Sequence, residues 1–306
     1  MGHVNHMTLW MSNALLSAAL AGGQLLAQSP SAIPTTQAAP KSLYDPLIPL
    51  MAAGLLTLLV WTVRRLANRE KLMLRHTPGR ANSLTPAHIL MLMGLWLILV
   101  TAAGGLPTPE QKLAGQVVVQ IALLVSCLVV AKRTFRLGVR RGLGLRMDHW
   151  LFDTCRAVLG YLAIVPICFL LNILFTWLLW DVKMVHEHVL LRMLVQLSCT
   201  WKAVAVLSGV VLAPLAEEAM FRGLLQSMLR QVTGKPWLAV LVTSVVFALV
   251  HFASPQNVPA IFALSVVLGY NYERCGRLYP VMLLHAIFNA VFMAIALANL
   301  RGAPAQ

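Results

Sequence analysis

Long apolar runs separated by short polar breaks organise this chain. About 20 consecutive apolar residues are needed to cross ~30 Å of hydrocarbon. Runs of that kind lie at 8–27, 47–63, 86–106, 114–131, 156–180, 203–231, 236–252, 258–272 and 278–299. Neither strand alternation nor a soluble amphipathic stripe competes with them. The pattern therefore predicts an all-α, polytopic bundle of about eight to nine spanning helices. The polar residues Glu187, Arg192, Gln196 and Lys202 interrupt the pattern before the sixth run and read as an interfacial helix leading into it. Trp150, Trp177, Trp180 and Trp237 fall at span ends, as an aromatic belt requires.

The N-terminal run is followed by a Pro/Ser/Thr/Gln/Ala-rich stretch at 29–40, so it reads either as a signal-like segment or as a first span. No Lys or Arg precedes it, which favours a retained helix. Nine crossings with the N-terminus inside result, or eight after cleavage. Three parts are expected: residues 1–46 as N-terminal helix and linker, 47–185 as variable transmembrane helices with two basic loops, and 186–306 as a transmembrane core.

Composition removes the soluble alternatives. Of 306 residues, 59% are hydrophobic and 11% charged, and the mean hydropathy is +0.76. A soluble chain needs about a quarter of its residues charged. The net charge of +14 is not a nucleic-acid footprint, because twelve of the 24 Lys and Arg residues sit in two short loops between apolar runs. These are Arg64, Arg65, Arg69, Lys71, Arg75 and Arg80, then Lys132, Arg133, Arg136, Arg140, Arg141 and Arg146. Such loops are expected on the cytoplasmic side against anionic lipid headgroups. The turns carrying Arg230 and Lys235, and Arg274 and Arg277, also come out inside if 187–231 crosses once. The five cysteines form no CxxC pair, and four of them sit in or beside apolar runs as small hydrophobes would. There is no GxGxxG, P-loop or internal repeat.

Chemistry concentrates where polar residues enter the apolar runs, since ionisable groups at that depth are costly and by default functional. In Ala213-Pro214-Leu215-Ala216-Glu217-Glu218-Ala219-Met220-Phe221-Arg222-Gly223, Glu218 and Arg222 are i and i+4 and can pair. Glu217 points about 100° away and lacks that partner, which suits a general base. Glu217 lies 17 residues before Gly234 and His251 lies 17 after it, so an antiparallel hairpin sets them at matching depth, able to hold one water. His285 and Asn289 share a face of the last helix, and both can donate to an oxyanion. Counting from the turns puts His285 about 10 Å nearer the cytoplasmic side than His251; tilt or a kink at Pro214 would have to close that gap. Taken singly, each residue has a plainer reading: a structural ion pair, an interfacial histidine, an inter-helix amide. Gly223 and Gly269 read as close-packing positions. Their co-occurrence on three helices joined by short turns favours a site.

These residues resemble the CAAX protease and bacteriocin-processing (CPBP) family of intramembrane glutamic endopeptidases, which includes the type II CAAX prenyl endopeptidases. The family motifs EExxxR, FxxxH and HxxxN stand here as Glu217-Glu218 with Arg222, Phe247 with His251, and His285 with Asn289. The stretch from Gly269 to Gly276 is similar to the family's glycine-containing helix end. The resemblance covers about residues 190–297. It implies Glu217 as general base, His251 as its partner in activating water, His285 and Asn289 as the oxyanion hole, and Glu218 with Arg222 as support of the motif helix. It implies no cofactor and no metal, a membrane-protein or lipidated-peptide substrate, and a multi-pass protein, placed here in a bacterial inner membrane. A zinc hydrolase with Glu217, His251 and His285 as ligands is the rival chemistry, although no HExxH is present. A non-catalytic scaffold on the same fold and a proton-relaying transporter are the alternatives from other classes.

Overall fold

In the computed structural model, the described residues are 47–67, 74, 80–179, 194 and 196–302. The N-terminal run and its linker therefore lie outside them, as do Arg69, Lys71, Arg75, Trp180, Glu187 and Arg192. The described chain is helical throughout: α1 Leu47–Ala67, α2 Pro86–Gly104, α3 Pro109–Thr134 and α4 Trp150–Leu178. They are followed by α5 Cys199–Thr233, α6 Pro236–Leu249, α7 Val258–Cys275 and α8 Tyr279–Gly302. Every expected span from residue 47 onward is a helix, with ends shifted by a few residues. Lys202 falls inside α5, which starts at Cys199, rather than in a separate interfacial helix. Helices α2, α3, α4 and α5 are each long and apolar enough to cross a membrane, while Ile48–Arg64, Pro236–Leu249 and Tyr279–Ile295 are shorter apolar helices. With no strand among the described residues, this is an all-α, multi-pass membrane bundle.

The helix ends follow from local chemistry. Thr108 caps α3, its hydroxyl accepting from Gln111 N at 3.2 Å while Gln111 Oε1 accepts from Thr108 N at 3.4 Å. Gly234 ends α5 with φ +67°, a left-handed conformation that a Cβ would strain, and Pro236 starts α6 two residues later. Gly276 ends α7 in the same way, with φ +66°.

Helix α4 is the spine, packed against α1, α7 and α8, while α6 pairs with α7 and α2 with α3. One buried cluster joins both halves of the chain, from Leu84, Cys127 and Ile164 to Phe221, Phe247, Leu268 and Leu284. The basic loops divide. Lys132, Arg133, Arg136, Arg140, Arg141 and Arg146 are exposed, as a headgroup-facing loop requires. Arg80 instead is buried: its Nη1 is 2.7 Å from Glu273 Oε1, its Nη2 donates to Tyr272 O, and its guanidinium lies 3.9 Å over the Tyr272 ring. It is a clasp between the α1–α2 connection and α7, not a lipid contact. A second clasp joins Arg277 to Asp153 Oδ2 at 2.7 Å, and that hydrogen bond raises the Arg277 guanidinium above its ordinary range.

Candidate active site

Helix α5 carries the two glutamates on an irregular ladder. The segments Ser208–Leu212 and Ala219–Gln226 are π-helical, and Ala213–Glu218 between them is α-helical. Single π turns inside α-helices are frequent at functional sites. The expected i, i+4 pair is present, with Arg222 Nη1 2.9 Å from Glu218 Oε1 and both side chains fully buried. The second terminal nitrogen is also held: Nη2 donates to Ser265 Oγ at 2.7 Å and Ser265 O at 3.3 Å, and the guanidinium carbon sits 4.6 Å over the Phe247 ring, while Nε is buried without a hydrogen-bond partner.

His285 from α8 enters between the two carboxylates. Its Nδ1 is 2.7 Å from Glu218 Oε1 and its Nε2 is 3.8 Å from Glu217 Oε2. A carboxylate only accepts, so Nδ1 carries the proton and donates to Glu218. Glu218 thus holds Arg222 and orients His285 at once. Glu217 keeps a side-chain exposure of 20% against 0% for Glu218, so the two adjacent carboxylates differ in access to water.

His251 lies just beyond the end of α6 and folds back, its Nδ1 2.7 Å from Phe247 O. That carbonyl fixes the proton on Nδ1 and leaves Nε2 with a lone pair. Glu217 and His251 share no direct hydrogen bond. Both imidazoles pack on one ring: His251 lies 4.8 Å and His285 5.8 Å from the Phe247 centroid, with Phe221 edge-on at 4.9 Å. Phe247 therefore contacts a residue of each of the three motifs. Sequence reasoning used it only as a spacing marker, and it missed Ser265, for which no sequence signal existed.

The depth gap between the histidines is absent: His285 reaches Glu218 and both imidazoles pack on Phe247. Gln226 Nε2 donates to Glu273 Oε1 and to Gly269 O, each at 3.0 Å, and Arg222 Nη2 donates to Ser265 O at 3.3 Å, so α5 and α7 run in step and end at Gly234 and Gly276 within about one residue of the same level. Gly269 permits this approach, since a Cβ there would stand 2.8 Å from Gln226 Oε1. Gly223 faces Leu143 Cδ2 at 2.9 Å in the same test.

Asn289 lies one turn beyond His285, and its Nδ2 donates to Gly209 O at 2.8 Å. The neighbouring Ser208 donates to Gln120 Oε1 at 2.8 Å. As for the zinc alternative, no three His, Cys, Asp or Glu side chains are arranged to hold a metal ion among the described residues.

Comparison with known families adds one finding. Residues 199–291 match the family described as type II CAAX prenyl endopeptidase Rce1-like. No curated protein and no solved structure matches the chain. The matched segment contains all three motifs and ends two residues after Asn289.

Proposed function

Because residues 199–291 match the Rce1-like type II CAAX prenyl endopeptidase family, we propose that this protein is a membrane protease that hydrolyses a peptide bond of a membrane-associated protein or lipidated peptide with a water activated by Glu217 and His251. A CAAX-type C-terminal peptide is the first substrate to test, and 186–306 is the catalytic core. The exposed basic loop at 132–146 supports a cytoplasmic placement of that loop, in the bacterial inner membrane taken as the protein's location.

The observation that carries this reading is the placement of His285 between two carboxylates of unequal exposure. Glu217, the more exposed, takes a proton from water while His251 Nε2 orients that water. The resulting hydroxide adds to the scissile carbonyl carbon, and its π electrons move onto oxygen. His285 and Asn289 donate to this oxyanion. Since Nδ1 already donates to Glu218, His285 can donate from Nε2 only when the ring carries its second proton. Glu218 stabilises that imidazolium. On collapse the C–N bond breaks and Glu217 returns its proton to the leaving nitrogen, so the carboxylate is regenerated and no cofactor is consumed.

The test is cleavage of quenched fluorogenic membrane peptides, prenylated and unprenylated, by the full chain in liposomes. Loss of cleavage in Glu217→Gln, His251→Ala and His285→Ala, with chelators without effect, is the expected result. Cleavage untouched by all three substitutions would sink the assignment. Cleavage abolished by chelators and restored by zinc would favour the metal alternative.

A further inference from the structure

Asn289 belongs to a motif whose implied task is oxyanion stabilisation, yet one of its amide hydrogens is already committed to Gly209 O at 2.8 Å. The reason lies in the backbone of α5. In the π turn Ser208–Leu212 the ladder runs from i to i+5, and Ala213 N–H donates to Ser208 O. The next donor in that register, for Gly209 O, is residue 214. Residue 214 is proline and has no N–H. Ala213, the α-helical donor for the same carbonyl, is taken by Ser208. Gly209 O is therefore without a backbone donor, and a carbonyl left so inside a membrane protein is costly.

We propose that Asn289 is a positioning residue that supplies the hydrogen bond Pro214 cannot make, locking the π turn and so the direction in which Glu217 points. At Gly209 α8 lies close against α5, since a Cβ there would stand 3.3 Å from Met293 Cε, one turn along α8 from Asn289. Gln120, through Ser208, grips the π turn from the α3 side. Helix α8 thus holds α5 from two positions one turn apart on α8, His285 on Glu218 and Asn289 on Gly209 O. The lock matters because a π turn contains one residue more than the α turn it replaces. If Ala213 N–H slipped from Ser208 O to Gly209 O, the helix after it would turn by about 100° relative to the helix before it. Glu217 would leave the side of α5 that faces His285.

This inference rests on the proposed peptidase mechanism for its catalytic consequence but not for the contact itself. The experiment is a cycle of Asn289→Ala, Pro214→Ala and the double variant in the full chain, read by thermal unfolding in detergent and by kcat and KM on the fluorogenic peptide. Alanine at 214 restores an N–H that can reach Gly209 O in the existing register. Asn289→Ala alone should lower Tm by about 5 °C and kcat by about 100-fold with little change in KM. In the Pro214→Ala background the same substitution should cost less than half that Tm change, and its kcat loss should shrink to the part that the oxyanion hydrogen bond accounts for. A folded double variant beside an Asn289→Ala protein that fails to accumulate gives the same support. Equal Tm losses in both backgrounds, or a double variant that fails to fold, overturn the proposal. If the wild type cleaves nothing, the Tm cycle still decides the contact, while the peptidase reading fails separately.

Discussion

Replacing Glu218 with Gln tests the buried polar centre most directly, because the two side chains are nearly isosteric and only the charge is lost. Glu218 and Arg222 are both fully buried and 2.9 Å apart. Stripping the charge from one partner of such a pair costs about 3–5 kcal/mol, because the other charge stays buried without compensation. Two features hold Glu218→Gln near the lower figure: Gln can still accept hydrogen bonds, and Arg222 keeps Ser265 and the Phe247 face. Arg222→Met should cost a similar ~3 kcal/mol, leaving Glu218 with His285 alone. With both changes no unpaired ion remains, and the double variant should lose only about 0–2 kcal/mol. A thermal-unfolding cycle in detergent measures the three values. Function should not follow stability: without the Glu218 carboxylate the His285 imidazolium loses its anchor, and kcat should stay depressed by about 100-fold or more in the recovered double variant. Additive costs, near 6 kcal/mol for the double variant on the same figures, would refute the paired-charge reasoning.

Arg80→Ala should destabilise the fold by about 3–5 kcal/mol by leaving Glu273 buried without its closest cation, and Arg80→Lys should recover only part of this, because an ammonium cannot both pair and lie flat on Tyr272; chemical or thermal unfolding decides. Gly269→Ala should cost about 1–3 kcal/mol by overpacking against Gln226, and an unchanged Tm would contradict the close approach of α7.

Much of this was legible because polar residues stand out in apolar runs. Glu217, Glu218 and Arg222 declare themselves by cost, and i, i+4 spacing foretells the Glu218–Arg222 contact without any tertiary information. The partner of Glu218 on another helix was not legible, because counting residues from the turns placed His285 at a different depth, whereas its Nδ1 stands 2.7 Å from Glu218 Oε1. Nor could local pattern distinguish Arg80 from its loop neighbours, since a buried clasp and a headgroup contact use the same side chain. The π register before Pro214 was hidden for a related reason: proline announces a missing donor but not which carbonyl is orphaned.

Helix α6 has 14 residues and so extends only about 21 Å, well short of the ~30 Å hydrocarbon layer. His251 follows directly where this short helix stops. Lipid beside α6 is expected to compress by several ångströms, at a fraction of a kcal/mol per Å, which draws the interface on the side away from the Arg230 and Lys235 turn down towards His251 and Glu217. A hydrolase surrounded by acyl chains has to find its second substrate, and the shortness of one helix brings bulk solvent to it without a dedicated channel. Turnover should therefore depend on the host membrane, faster in vesicles of short-chain than of long-chain phosphatidylcholine at equal substrate loading. The lipid then acts as a rheostat on hydration of the reacting carbonyl.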